Sequence, residues 1–225
     1  MTVVVAFVSQ KGGVGKSTLA RALAAVTTRR GLRTTLADLD CQQQTVSRWQ
    51  RLRQKNGVHP PLTVEPFRNV DAAIASQRDV DVLILDAPGH ATRTTFEIAS
   101  VAHLVVQPCG ACFDDLQPAV QLYYQLAASG IPKSRLLFAL SRILEEEEEE
   151  AARRYIAVAE FDVLPGTIIE RALYREAHNR GLAFIETPGA ELKRFAEPMV
   201  GSILARIMRK LEPRSPTERG ADASA

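Results

Sequence analysis

The sequence predicts a single α/β domain, with a mostly parallel central sheet flanked by helices. Three observations lead there. Short apolar, β-branched runs alternate with helical patterns along the chain, an order that implies parallel strands joined by crossover helices. The first run, Val3–Val8, feeds directly into the glycine-rich stretch QKGGVGKST, Gln10–Thr18. Aspartates then follow two later apolar runs, where open parallel sheets bind their ligands.

Each element can be justified in order. Val3–Val8 reads as a strand buried on both faces. Ser17–Arg30 reads as a helix stopped by Gly31, and Thr34–Ala37 as a second strand. Leu62–Val64 fits an edge strand, while Val82–Leu85, Leu104–Val106 and Leu136–Leu140 fit buried ones. Helical patterns lie between them at Thr45–Gln54, Val70–Gln77, Thr95–Ala99, Leu116–Ala128 and Glu147–Ala159. Near the end, Leu192, Phe195, Val200, Ile203, Leu204, Ile207 and Leu211 recur at helical spacing. Pro198 is expected to kink or break that helix. The following EPRSPTERGADASA is polar, carries two prolines and has little to bury. The domain is therefore expected to span residues 1–211, with a disordered tail over 212–225.

Composition narrows the class. With 225 residues, 46% of them hydrophobic and 24% charged, the chain can bury a core and stay soluble. No apolar run approaches the roughly 20 residues that span a bilayer, and no secretion signal is evident. Three cysteines do not make a disulfide framework. A cytoplasmic location is the simplest expectation. The net charge of +2 conceals a segregation. Residues 11–68 hold 11 Lys/Arg against 3 Asp/Glu, a net +8, and residues 145–170 hold 2 against 9, a net −7. Residues 171–225 hold 10 against 7, a net +3. Uneven charge of this kind fits either an anionic partner or ordinary solvated charged faces.

The chemistry is concentrated in the glycine stretch. Gly12, Gly13 and Gly15 let backbone N–H groups around Val14 converge on phosphate oxygens, Lys16 can reach the β- and γ-phosphates, and the Ser17 hydroxyl can ligate Mg²⁺. The stretch lies between a strand and a helix, as such a phosphate-binding loop requires, and Thr18 continues it. It departs from G-x-x-x-x-G-K-[ST] in having Gln10 at the first glycine, and it adds a second lysine, Lys11. Asp86, after Val82–Leu85, can support a metal's water shell. Asp38 and Asp40 follow Thr34–Ala37 and are further candidates.

These residues resemble the ParA/MinD family of deviant Walker A ATPases. The match is KGGVGKST at 11–18, DLDCQQ at 38–43 and LILDAPG at 83–89, with a weaker one at ERALYREAHNRGLAFIE, 170–186. Within the family the chain is most similar to short ParF-type plasmid partition ATPases. Only nine residues precede Gln10, so the helix-turn-helix domain of longer partition ATPases is not expected. The resemblance implies that Lys16 binds phosphate, Ser17 ligates Mg²⁺, Asp86 supports the metal through water and Asp40 positions the attacking water. It implies that Lys11 reaches across an ATP-bound homodimer into the partner's site. It further implies nonspecific binding of double-stranded DNA, a nucleoid association, and slow hydrolysis stimulated by a ParB-like or cargo adaptor protein. Cys41 replaces the family's usual proline, and Ser141-Arg142 stand where many relatives place an adenine-contacting asparagine.

Other readings stay open. The same cycle can position a protein cargo, such as a chemoreceptor array or microcompartment. Cys109 and Cys112 form a C-x-x-C that could serve an iron–sulfur carrier, against which stands simple packing of two small residues after a strand. A membrane-surface role fits poorly, because the last amphipathic helix is followed by a polar tail. For DNA the basic candidates are Arg171, Arg175, Lys193, Arg194, Arg206, Arg209 and Lys210. Trp49–Lys55, WQRLRQK, mixes an aromatic with basic residues, as a nucleic-acid contact would; the favoured expectation is that Trp49 and Leu52 pack inward and the basic side chains are solvated.

Overall fold

A computed structural model describes residues 1–77, 79–89, 92–187 and 190–212. Of the tail expected over 212–225, residues 213–225 lie outside the described residues. Eight strands and eight α-helices follow one another in the described chain. The first half runs β1 (Val3–Phe7), α1 (Lys16–Arg29), β2 (Thr34–Asp38), α2 (Thr45–Lys55), β3 (Thr63–Pro66), α3 (Val70–Ser76), β4 (Val82–Asp86) and α4 (Thr92–Val101). The second runs β5 (Leu104–Cys109), α5 (Phe113–Ala128), β6 (Leu136–Ile143), α6 (Glu146–Val158), β7 (Asp162–Val163), β8 (Ile168–Ile169), α7 (Ala172–Asn179) and α8 (Ala190–Leu211).

The sheet order is β3-β2-β4-β1-β5-β6-β7, with β8 pairing with β6. Every pairing is parallel. The first strand is thus central, and the loop that follows it opens at the middle of the C-terminal edge. Alternation along β1 divides the interior in two. Val3, Val5 and Phe7 face a core shared with α1, α2, α7 and α8. Val4, Ala6 and Val8 face a second core shared with α3 to α6. Covering on both faces explains why these strands read as continuous apolar runs.

Three features differ from the sequence expectations. Pro198 lies inside α8, which runs through it without the break that was one of the two expectations. Proline has no N–H to give, and one turn earlier the Phe195 carbonyl accepts the Thr167 N–H at 2.9 Å, so the loop after β7 is tied to the helix there. The short β7, β8 and α7 carry too few residues for a periodic signal and were not foreseen.

Arg53 is the third. It is 1% exposed, not solvated. Its guanidinium makes a bidentate pair with Glu186 at 2.6 and 2.9 Å, and donates to the carbonyls of Gly181 and Pro60 at 3.1 and 3.0 Å. Glu186 also accepts from Arg29 at 2.7 Å and from the Ala183 N–H at 2.8 Å. Trp49 lies between two cations, with Arg21 at 5.1 Å and Arg53 at 5.5 Å from its ring centre. Gly181 permits this closeness, because a Cβ there would fall 2.5 Å from Arg53 Cα.

Removing one partner of a buried ion pair strands the other charge. Glu186→Ala should therefore lower unfolding free energy by about 3–5 kcal/mol, read as a shift of the urea midpoint. A change below about 1 kcal/mol would show that Arg53 can reach water without cost.

Candidate functional site

The loop after β1 spans Val8 to Gly15, and α1 begins at Lys16. Gly13 and Gly15 have φ of 74° and 108°, left-handed values that an L side chain rarely adopts. They turn successive backbone N–H groups the same way, toward the N-terminus of a 14-residue helix. The loop is braced from below, where the buried Ser141 hydroxyl donates to the Val14 carbonyl at 2.6 Å. Ser141 thus spends its hydroxyl on loop support.

Lys16 is 7% exposed and donates to the Lys11 carbonyl at 3.0 Å. Burial lowers its pKa from the ordinary value, partly offset by Asp86 and Asp40. Ser17 donates to Asp86 Oδ2 at 2.7 Å, joining the first turn of α1 to the end of β4. Asp86 is 2% exposed, and its Oδ1 has no hydrogen-bond partner. Burial pushes its carboxyl up to about 7, with the Ser17 hydrogen bond opposing and Asp38 adding to the rise.

Asp38 and Asp40 are brought close but are used differently. Asp38 pairs in register with Asp86 on the neighbouring strand. Its Oδ2 accepts the Ser47 N–H and hydroxyl at 3.0 and 2.7 Å, anchoring the first turn of α2. Its Oδ1 accepts the Asp40 N–H at 3.2 Å. Asp40 folds its own turn, accepting from the Gln42 and Gln43 N–H groups. Cys41 stays exposed beside it, its thiol 3.3 Å from the Phe67 carbonyl.

A cleft of about 790 Å³ opens over these groups. Gly12, Gly13, Gly15, Lys16, Ser17 and Thr18 line it together with Asp40, Asp86 and Gly89. Three lining cations or rings escaped the sequence reading: Arg21, Arg68 and His178. Arg21 follows Ser17 by four residues, so helical spacing could have found it. Burial lowers it to about 10, and its Nε is unpartnered. Burial holds His178 near 4, so its ring is neutral at ordinary pH. It comes from α7, and no local pattern points to it.

Lys11 lies apart from this cleft. Its ammonium pairs with Asp115 in the first turn of α5 at 2.5 Å, and the side chain is 42% exposed. That hydrogen bond raises its pKa above the ordinary value. Asp115 is 104 residues away along the chain, which is why the sequence did not reveal it. Cys109 is 2% exposed, and burial pushes its thiol up to about 12, so it is held protonated; Cys112 is exposed. A buried thiol of that pKa is a poor cluster ligand.

The basic candidates of the C-terminal region do not converge. Arg171 and Arg175 sit at α7 beside Glu170, with Arg175 paired to it at 3.0 Å. Arg206 lies 3.9 Å from Asp162, and Arg194 stacks over Phe195. Arg209 and Lys210 are in the last turn of α8. Lys210 acts electrostatically on His103, whose ring accepts the Val4 N–H at the opposite, N-terminal end of the sheet. The Lys193 side chain is outside the described residues.

The buried, half-satisfied Asp86 beside the Ser17 hydroxyl fits a hydrated divalent cation, and the glycine loop with Lys16 fits phosphates. Among the described residues no helix is long and apolar enough to cross a membrane.

Comparison with known proteins agrees with this geometry. Residues 5–212 match the family model described as the CobQ/CobB/MinD/ParA nucleotide binding domain. Similar solved structures include the septum site-determining protein MinD with Mg-ADP from Pyrococcus horikoshii OT3. It has a TM-score of 0.72 and 16% identity, with 90% of this chain and 96% of that one covered. Apo McdA from Cyanothece has a TM-score of 0.68 and 16% identity, covering 91% and 100%. A putative plasmid partition protein from Borrelia burgdorferi B31, bound to AMPPNP, has 0.66 and 15%, covering 91% and 99%. No curated protein matches significantly in sequence.

A carboxylate raised by burial costs stability when ionised. In nucleotide-free protein that cost is absent below the unfolded carboxyl value near 3.8 and grows as pH rises through about 7. Asp86→Asn should therefore stabilise the nucleotide-free protein at pH 8 by about 1–2 kcal/mol, and the gain should vanish toward pH 4. Thermal melts across pH measure this; an equal gain at both ends would remove ionisation as its cause.

Proposed function

The chain belongs to the CobQ/CobB/MinD/ParA nucleotide-binding family, and on that premise we propose that it is a Mg²⁺-dependent ParA-like ATPase that dimerises on ATP, binds DNA without sequence preference and drives DNA segregation. The observation that carries this reading is the meeting of Lys16, Ser17 and Asp86 under the Gly12–Gly15 loop. The partition protein from Borrelia, bound to AMPPNP, supports the choice of task within the family.

In this reading the backbone N–H groups of Gly12 to Ser17, with Val14 and Thr18 completing the loop, hold the phosphates. Lys16 exchanges the Lys11 carbonyl for phosphate oxygen. Ser17 would ligate a magnesium ion and Asp86 would support it through water; the ion would neutralise charge on the phosphates. Asp40 lines the same cleft as Lys16 and orients the attacking water. Lys11 is accessible, and in the separate subunit it rests on Asp115. It trades that carboxylate for the phosphates of a second protomer, as an arginine finger would. Loss of the γ-phosphate removes its target and releases the dimer. A partner protein accelerates this cycle, and the molecule works on the nucleoid.

Lys16→Ala should bind a fluorescent ATP analogue at least about 100-fold more weakly, since it loses the charge nearest the phosphates. Lys11→Ala should retain binding but stay monomeric with ATP in light scattering. Mixing Lys11→Ala with Asp40→Ala should restore part of the hydrolysis rate, because one of the two sites in a mixed dimer then has both groups. A full ATP-dependent dimer of Lys11→Ala alone rules out the crossing lysine.

A further inference from the structure

Helix α2 presents a basic face that the rest of the described protein leaves uncompensated. From Cys41 to Val64 the chain contains no Asp or Glu. α2 itself carries Arg48, Arg51, Arg53 and Lys55. The tertiary fold separates these four. Arg53 is withdrawn into the ion pair with Glu186. Arg48, Arg51 and Lys55 are exposed, at a spacing of i, i+3 and i+7 that forms one stripe of a helix. Arg180, also exposed, is brought alongside, because Asn56 at the end of α2 donates to its carbonyl at 3.0 Å. Among the described residues none of these four cations lies within ion-pair distance of a carboxylate.

We infer that this face of α2 binds the phosphate backbone of duplex DNA, independently of sequence. The inference rests on the reading of the protein as a DNA-binding ATPase and supplies the surface, which the C-terminal basic residues, split between the two ends of the sheet, do not form. The row from Arg48 to Lys55 extends about 10 Å at 1.5 Å per residue. That spans about three phosphate-to-phosphate steps of one strand at 3.4 Å of axial rise each. Gln54 and Asn56 are exposed on the same helix end and can donate to phosphate oxygens between the cations. A lipid surface is the poorer occupant. Residues 41 to 69 expose no large apolar side chain, so nothing on this face would enter the acyl region.

The opposite face of α2 makes the presentation rigid. Val46, Trp49 and Arg53 are buried, and Arg21 donates to the Thr45 carbonyl at 2.9 Å. The first turn also hangs on Asp38 through Ser47, and the Asp40 turn leads directly into it. A nucleotide bound beside Asp40 therefore acts at the root of the DNA-binding helix. This gives a direct route from the state of the cleft to DNA affinity.

The test replaces Arg48, Arg51 and Lys55 together by glutamine, which is neutral and helix-compatible. Circular dichroism and binding of a fluorescent ATP analogue should match the wild type. Anisotropy with labelled random-sequence duplex, in ATP and Mg²⁺, should show affinity reduced at least about tenfold. The slope of log affinity against log salt should flatten by about three per protomer. Should the triple variant fail to fold, Arg51→Gln alone should flatten the slope by about one. A folded triple variant within about twofold of wild-type DNA affinity overturns the inference while leaving the ATPase reading standing. Wild-type protein that ignores DNA in every nucleotide state overturns both the surface and the DNA-binding part of that reading. Retention on phosphatidylglycerol vesicles in place of DNA, lost in the triple variant, assigns the face to lipid and overturns the inference.

Discussion

The hydrogen bond from Ser17 to Asp86, 2.7 Å long, is the constraint on which the site depends. It joins the first turn of α1 to the last residue of β4, two places 69 residues apart in the chain. Both groups are polar and lie beneath a loop of glycines. Asp86 is almost fully buried with one oxygen unpartnered. A protein selected only for stability would not keep such a carboxylate, because an unsatisfied buried acceptor costs about 1–3 kcal/mol. In the proposed function, a cation and phosphates bound there would relieve that strain. Everything else in the site follows from that placement: Lys16 buried above it, Asp38 in register beside it, and Asp40 on the next turn.

The same economy governs the neighbouring helix. α2 must bury one face against α1 and α7 while its N-terminal end carries the Asp40 turn. A helix this rich in arginine cannot do so by apolar packing alone. Trp49 supplies the apolar surface, and two cations lie over its ring. Arg53 crosses to Glu186, which gathers Arg29 and a backbone N–H as well. The cluster ties α1, α2 and the turn after α7 into one body, and its strongest charges, Arg53 and Glu186, are fully paired, although Arg21 Nε and Trp49 Nε1 find no partner. It also leaves the outer face of α2 free of structural duty.

Lys11 illustrates how much of the chemistry depends on contacts between distant segments. As a sequence feature it is one extra lysine before the glycines. In the folded subunit it is half exposed and held by Asp115 from the start of α5. The pair stores the lysine on the surface, outside its own cleft, where it is available to another molecule. Cys109 shows the converse. Its place in a C-x-x-C made it a candidate ligand, yet its side chain is packed into the core behind β5 and held as a thiol.

The sequence by itself determined the α/β alternation, because continuous apolar runs and amphipathic periods are local and strong. It also marked the candidate phosphate loop, since Gly12 to Ser17 carry that pattern at fixed spacing within one turn of chain. The aspartates after β2 and β4 were legible for the same reason. The two-residue strands β7 and β8 were not, because they are too short to show a period. Which carboxylate the fold satisfies was decided only in three dimensions. Asp38 and Asp86 look alike in sequence, but Ser47 satisfies one and leaves the other for the cleft. Arg53 looks like its neighbours Arg51 and Lys55, but only its position faces Glu186, 133 residues away. Such pairings depend on which segments the sheet order brings together, and no local pattern in the chain records that.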